Sequence, residues 1–119
     1  MNRTAPGRIE ELFSSLVPEE RARVISQGVA LRLSDLRKRA QLAESRVSHF
    51  EEKYDTTLDV LDKEGLPIDA DYEMHEDYIM WHHWAEVAEE ARARVAALEE
   101  IAEQGLYVGD MGDMLYAGQ

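Results

Sequence analysis

Gly65-Leu66-Pro67-Ile68-Asp69-Ala70-Asp71 is the stretch on which the fold turns. Gly65 suits a left-handed position just past a helix end, Pro67 cannot continue a helix, and Asp71 is a good N-cap. The stretch reads as a stop followed by a new start. Just before it, Thr56-Thr57 can cap a short helix carrying Leu58, Val60 and Leu61.

Long helical patterns lie on both sides. Upstream, Val29, Leu36, Ala43, Phe50 and Leu33, Ala40, Val47, Tyr54 form two rows that repeat every seven residues. The rows are offset by three and four, which is the seam of a coiled coil. Val17-Pro18-Glu19-Glu20 reads as the start of this helix, since proline is tolerated in a first turn and acids suit the positive end of the dipole. No proline interrupts it before Tyr54. At ~1.5 Å per residue it would run roughly 50 Å, with Gly28 as a candidate break. Downstream, a second helix is expected from about Tyr72 to Gln104. Its seam is Met74, Trp81, Ala88, Val95, Ala102, interleaved with Trp84, Ala91 and Leu98, and Gly105 ends it.

The seams mirror each other about Gly65-Leu66. Phe50 falls opposite Trp81, Val47 opposite Trp84, Ala43 opposite Ala88, and Ala40 opposite Ala91. Leu36, Leu33 and Val29 continue the series against Val95, Leu98 and Ala102. Small residues face small ones in the middle, and aromatics occupy the turn end. The expected fold is all-α: a long antiparallel, coiled-coil-like hairpin over residues 18–104. An arm over residues 1–17 precedes it, with a short amphipathic helix whose stripe is Ile9, Leu12, Phe13 and Leu16. Residues 105–119 form a glycine-spaced irregular tail. A bare hairpin of this size buries too little core. The apolar positions left over, Ile25, Ile79, Val87 and Ile101, call for cover. The N-terminal helix, a docked partner, or dimerisation into a four-helix bundle would supply it.

Charge is the strongest functional signal. Residues 51–77 hold eleven acids against two lysines, a local −9 within a chain of net charge −12. A hairpin gathers those acids at one end, where like charge repels itself and favours a cationic partner. Glu52, Asp55, Asp59, Asp69, Asp71, Glu73, Glu76 and Asp77 are the expected partner-binding acids. Direct nucleic-acid binding is not expected, because phosphate contacts need surplus Lys and Arg. The one basic cluster, Arg37-Lys38-Arg39, is expected to pair with the acidic helix opposite. The tail adds Leu106, Tyr107, Val108, Met111, Met114, Leu115 and Tyr116, read as a docking peptide that fills pockets on another protein, or as a strap over its own hairpin.

Other classes find less support. The chain has no cysteine, which excludes disulfides and thiolate metal sites. No apolar run approaches the ~20 residues of a membrane span, and no signal-peptide core follows the N-terminus, so a cytoplasmic protein is expected. His75 and His82 lie seven apart with Glu86 one turn further, and His49 sits near the same end. Neither Glu-x-x-His nor His-Glu-x-x-His occurs, so no metal or other cofactor is expected. Trp81-His82-His83-Trp84 reads as core packing by the two tryptophans. Glu52-x-x-Asp55 and Glu73-x-x-Glu76 resemble the magnesium site of all-α nucleoside-triphosphate pyrophosphohydrolases, where clustered oxygens hold Mg²⁺. That leaves a magnesium-dependent phosphohydrolase as an alternative, though the only lysines nearby are Lys53 and Lys63.

A further resemblance rests on Phe50-Glu51-Glu52-Lys53-Tyr54, Leu58 to Leu61, Asp69 to Asp71, Glu76-Asp77-Tyr78-Ile79-Met80-Trp81 and the Ala/Leu/Glu helix to Ile101. Over roughly residues 30–103 the chain is similar to small acidic helical-hairpin antitoxins, encoded beside toxins in prokaryotic toxin–antitoxin pairs. The N-terminal helix and the tail depart from that pattern. The resemblance implies a non-enzymatic protein that binds and neutralises a basic partner, such as a nucleic-acid-acting toxin. It carries over no catalytic residues. A homodimeric helical-bundle adaptor with a docking tail is the other reading.

Overall fold

The computed structural model describes residues 5–106, with side chains described for residues 7–104. Four α-helices follow in order: α1 (Ala5–Ser14), α2 (Pro18–Tyr54), α3 (Leu58–Glu64) and α4 (Tyr72–Ile101). α4 passes into one wider, π-type turn over Ala102–Leu106. No strand occurs among the described residues. α2 and α4 pack together as a hairpin, as their mirrored seams require.

The described residues group into two compact units. One is Ser34–Ala96; the other joins the residues up to Leu33 with those from Ala97 onward. In the Ser34–Ala96 unit much of the predicted seam is buried, while Val47, Tyr54, Met74, Trp84 and Val95 are half-buried. Leu36, Ala40, Ala43 and Phe50 of α2 are buried, and so are Trp81, Ala88 and Ala91 of α4. The register is visible in cross-helix pairs. The Phe50 and Trp81 rings stack with centroids 5.7 Å apart, and the Arg46 guanidinium lies 5.6 Å from the centre of Trp84. Arg92 donates to Glu44 further along.

In the other unit Val29 and Leu33 are buried. Pro18 opens α2, and the loop before it is tied down by Arg21, whose Nη1 donates to the Ser14 carbonyl at 2.9 Å and to that of Leu16. The α1 stripe is only partly covered. Phe13 is half-buried, while Ile9, Leu12 and Leu16 are exposed, and Val17, Val24, Leu31 and Ile101 are exposed as well.

Two expectations about helix limits change. Gly28 does not break α2, which runs unbroken from Pro18 to Tyr54. Its neighbours Val29 and Leu33 are both buried, and burial outweighs the roughly 1 kcal/mol helix cost of one glycine. Regular α-helix ends at Ile101 rather than Gln104, and the backbone continues as the π-type turn through Gly105.

Candidate functional site

The acidic end is built from three successive local signals. Asp55 closes α2 with φ of +52°, and the Thr56 N–H reaches back to the Glu51 carbonyl at 3.3 Å. That six-to-one bond around a left-handed residue is a Schellman-type stop. Thr57 then caps α3, its side chain accepting from the Val60 N–H at 3.3 Å. Gly65, at φ +83°, ends α3 with its N–H on the Leu61 carbonyl at 2.7 Å. Pro67 holds a turn through Ala70, and Asp71 accepts from the Met74 N–H at 2.9 Å to start α4. Nearly every element of the connector therefore carries a carboxylate.

An aromatic core lies beneath those acids. Phe50, Leu61 and Trp81 are buried together, flanked by Val47, Tyr54, Leu58, Leu66, Met74, Tyr78 and Trp84. Trp81 is fully buried between Phe50 and Tyr54, whose ring centroid is 6.1 Å away in a stacked arrangement. Its indole N–H has no hydrogen-bond partner. This core fixes the α2–α3–α4 corner, so the acids sit on a built surface rather than on a loose loop.

Three carboxylates of this corner, Asp77, Glu73 and Asp62, are turned to internal use. Lys53 donates to Asp77 at 2.6 Å and also to Glu73, while the Tyr54 hydroxyl donates to the same Asp77 oxygen at 2.6 Å. The Lys53 ammonium, and then the Tyr54 hydroxyl, hold the Asp77 carboxyl below the usual carboxylate range. Lys53 is in turn raised, first by its bond to Asp77 and then by its bond to Glu73. Burial raises the Tyr54 hydroxyl, and the bond to Asp77 adds to it. The third carboxylate is Asp62 on α3. One of its oxygens accepts from the Tyr78 hydroxyl at 2.6 Å and lies 2.8 Å from Nε2 of His82. The bond from Tyr78, and then that with His82, lower the Asp62 carboxyl, and the same bond raises the Tyr78 hydroxyl.

Seven of the eight predicted acids, Glu52, Asp55, Asp59, Asp69, Asp71, Glu73 and Glu76, are exposed, and Asp77 is half-buried. All lie in the Ser34–Ala96 unit. Sequence spacing does not single out Lys53 as the cation that ties α2 to α4. It does not single out Asp62 either, although Tyr78 and His82 are one helical turn apart and present their polar atoms to one side. Of the tail residues, Leu106 ends the π-type turn, and Tyr107, Val108, Met111, Met114, Leu115 and Tyr116 lie outside the described residues.

A hollow of about 330 Å³ opens among Lys53, Tyr54, Pro67, Asp71, Glu73 and Met74. Among the described residues no group of three or more His, Cys, Asp or Glu side chains is placed to hold a metal ion. Glu52, Asp55, Glu73 and Glu76 thus form no such cluster. His49 and His83 pack against Phe50 and Trp84, at centroid distances of 5.4 and 5.1 Å. Arg39 of the basic cluster lines a groove with His83, Glu86, Glu89 and Glu90 of α4. No helix of the described residues is long and apolar enough to cross a membrane. The chain matches no protein family, no curated protein and no solved structure.

Proposed function

We propose that this chain is a non-catalytic, antitoxin-like binding module whose acidic hairpin end takes a basic partner protein. One observation carries the reading. The end displays Glu52, Asp55, Asp59, Asp69, Asp71 and Glu76 on its surface, while Lys53 is committed to Glu73 and Asp77. A rigid surface of uncompensated carboxylates accelerates encounter with a positive surface and disfavours wrong partners of like charge. Nucleic acid and anionic membranes are repelled by the same field.

The test is capture by the immobilised full chain from lysate of its source, alongside a variant with Glu52→Gln, Asp55→Asn, Asp69→Asn and Glu76→Gln. That set avoids Glu73 and Asp77, which serve the fold, and asparagine tolerates the left-handed backbone at position 55. One basic, stoichiometric protein held by the parent chain and released by the variant is the expected result. Its association rate should fall steeply with salt. Recovery of the chain alone, or capture that ignores the variant, overturns the reading.

A second reading, a homodimeric adaptor, draws on a different surface. Ile9, Leu12, Leu16 and Val17 are exposed along and just after α1, and Val24 and Leu31 on α2. Covering such a face by self-association gives a light-scattering mass of two chains; a mass of one chain counts against it.

A further inference from the structure

Ile68 is wholly exposed at the turn before α4, Tyr72 is 79% exposed, and Ile79 is 60% exposed. The same unit buries Leu61 and Trp81 completely or nearly so, and leaves these three more open than its other exposed apolar side chains, Leu42, Val60 and Met80. Two of them share one helical face. Tyr72, Glu76, Ile79 and His83 recur at helical spacing on one side of α4, all exposed, away from the Met74, Trp81 and Ala88 seam. Tyr72 and Ile79 stand two turns apart, ~10.5 Å along the axis at 1.5 Å per residue.

The face carries acid: Glu76 lies on it between Tyr72 and Ile79, Asp69 and Asp71 adjoin Ile68 and Tyr72 in the chain, and the sequence holds no lysine or arginine from Glu64 through Ala91. Of the two lysines at this end, Lys53 is engaged by Glu73 and Asp77, and Lys63 stands in the last turn of α3. Charge therefore narrows the occupant. A second copy related by a two-fold axis would set this face against itself, acids against acids. Anionic ligands meet the same repulsion. A face with apolar residues at heptad spacing and acids among and beside them complements a helix with an apolar stripe and basic flanks.

We propose that Tyr72 and Ile79, with Ile68 just before them and Asp69, Asp71 and Glu76 among and beside them, dock a cationic amphipathic helix of a partner protein. The proposal rests on the acidic-end reading and adds to it the apolar anchors, which set specificity where the acids set encounter. Tyr72 is the expected hot spot, because an aromatic ring buries a large area at little entropic cost.

The probe is a synthetic peptide of about 18 residues, long enough for a helix, with leucines on one face and lysines elsewhere. A scrambled peptide of the same composition has no apolar face. Each is titrated into the full-length protein by calorimetry, and the contact is mapped by amide and methyl shifts. Tyr72→Ser/Ile79→Ser is the anchor variant; both positions are exposed, and matching thermal melts show that the fold is kept.

The amphipathic peptide is expected to bind at least about tenfold tighter than the scrambled one, shifting residues 68–83. The anchor variant is expected to erase that difference while keeping the weak, salt-sensitive binding common to both peptides. Equal binding of the two peptides overturns the inference and leaves the electrostatic reading intact. Shifts centred on Ile9, Leu12 and Val24 overturn it also. Binding of neither peptide overturns it, and the acidic-end reading is then judged by the capture experiment alone.

Discussion

The Tyr54 hydroxyl donates to Oδ2 of Asp77 at 2.6 Å, joining the last turn of α2 to the second turn of α4. Lys53 donates to the same oxygen, so one carboxylate gathers two donors from the opposite helix. The pair sits directly over the Phe50–Trp81 stack, since Tyr54 itself stacks on Trp81. The corner that displays the surface acids is thus locked by one acid withdrawn from that surface.

Acid should loosen this lock. Asp77 and Asp62 are held below the ordinary carboxylate value in the fold. Their contributions are present above the unfolded value, about 3.9, and are lost as pH falls through the folded value. Urea midpoints measured between neutral pH and about pH 3 should therefore drop, and the Asp77→Asn variant should show a shallower drop. Equal slopes in parent and variant would remove Asp77 from the account. At the alkaline side the sign reverses. Tyr54 and Tyr78 are raised, so their contribution is present below about 10 and lost as pH rises through their folded values. Tyrosinate absorbance should show two tyrosines titrating late, and Tyr54→Phe should remove one of them.

Asp62 binds a short helix to a long one. α3 has seven residues, too few to be stable alone. It is held by Leu61 in the core and by Asp62 on Tyr78 and His82. Asp62→Ala should speed amide exchange in residues 58–64 while leaving the protection of residues 36–50 unchanged. Loss of protection throughout the unit would mean that α3 is part of the global folding core rather than a clipped-on segment.

Much of this corner is legible in the amino-acid sequence, and the limits have physical causes. The seam Leu36, Ala40, Ala43, Phe50 against Trp81, Ala88, Ala91 can be read because burial follows helical period. The stop at Gly65 and the start at Asp71 can be read because their backbone chemistry is local. The use of Lys53 and Asp62 cannot, because each depends on which side chains meet across the connector, and period alone does not give that. The exposure of Tyr72 and Ile79 is half legible. Both fall off the seam by spacing, but only the fold shows that nothing in their own unit covers them.

Trp81 relies on packing alone. Its indole N–H is buried without an acceptor, a loss of about 1–3 kcal/mol, offset by full burial between two rings. Trp81→Ala should cost about 3–5 kcal/mol through the cavity it leaves. Trp81→Phe should cost clearly less, because the smaller cavity comes with removal of the unmet donor. Chemical denaturation of both variants decides it: equal costs would mean that the N–H is satisfied in solution, for instance by water.

Gly28 offers a stabilising change. A Cβ there would meet nothing within 4 Å, and the residue lies in the interior of α2. Gly28→Ala should raise stability by about 0.5–1 kcal/mol through helix propensity and a less disordered unfolded chain. The expected readout is a higher urea midpoint at unchanged slope. A lower midpoint would show that the helix is distorted at this position in solution, or that the face of Gly28 is occupied by another chain.

Asp55 tests whether the stop of α2 is built into the backbone. At φ of +52° it occupies the left-handed region without being glycine, and the Thr56 N–H to Glu51 carbonyl bond depends on that conformation. Asparagine and glycine suit the position, whereas a β-branched residue meets its own carbonyl there at a cost of roughly 1–2 kcal/mol. Asp55→Val should therefore lower stability by about that amount, and Asp55→Gly should hold or raise it. Asp55→Asn keeps the conformation and removes only the charge. If Asp55→Val and Asp55→Asn destabilise equally, the carboxylate rather than the backbone is what position 55 requires, and the Schellman-type stop does not control where α2 ends. If only valine destabilises, the same three variants separate fold from function. Asparagine then reports on partner encounter with the hairpin intact, and any loss of association rate belongs to the missing charge.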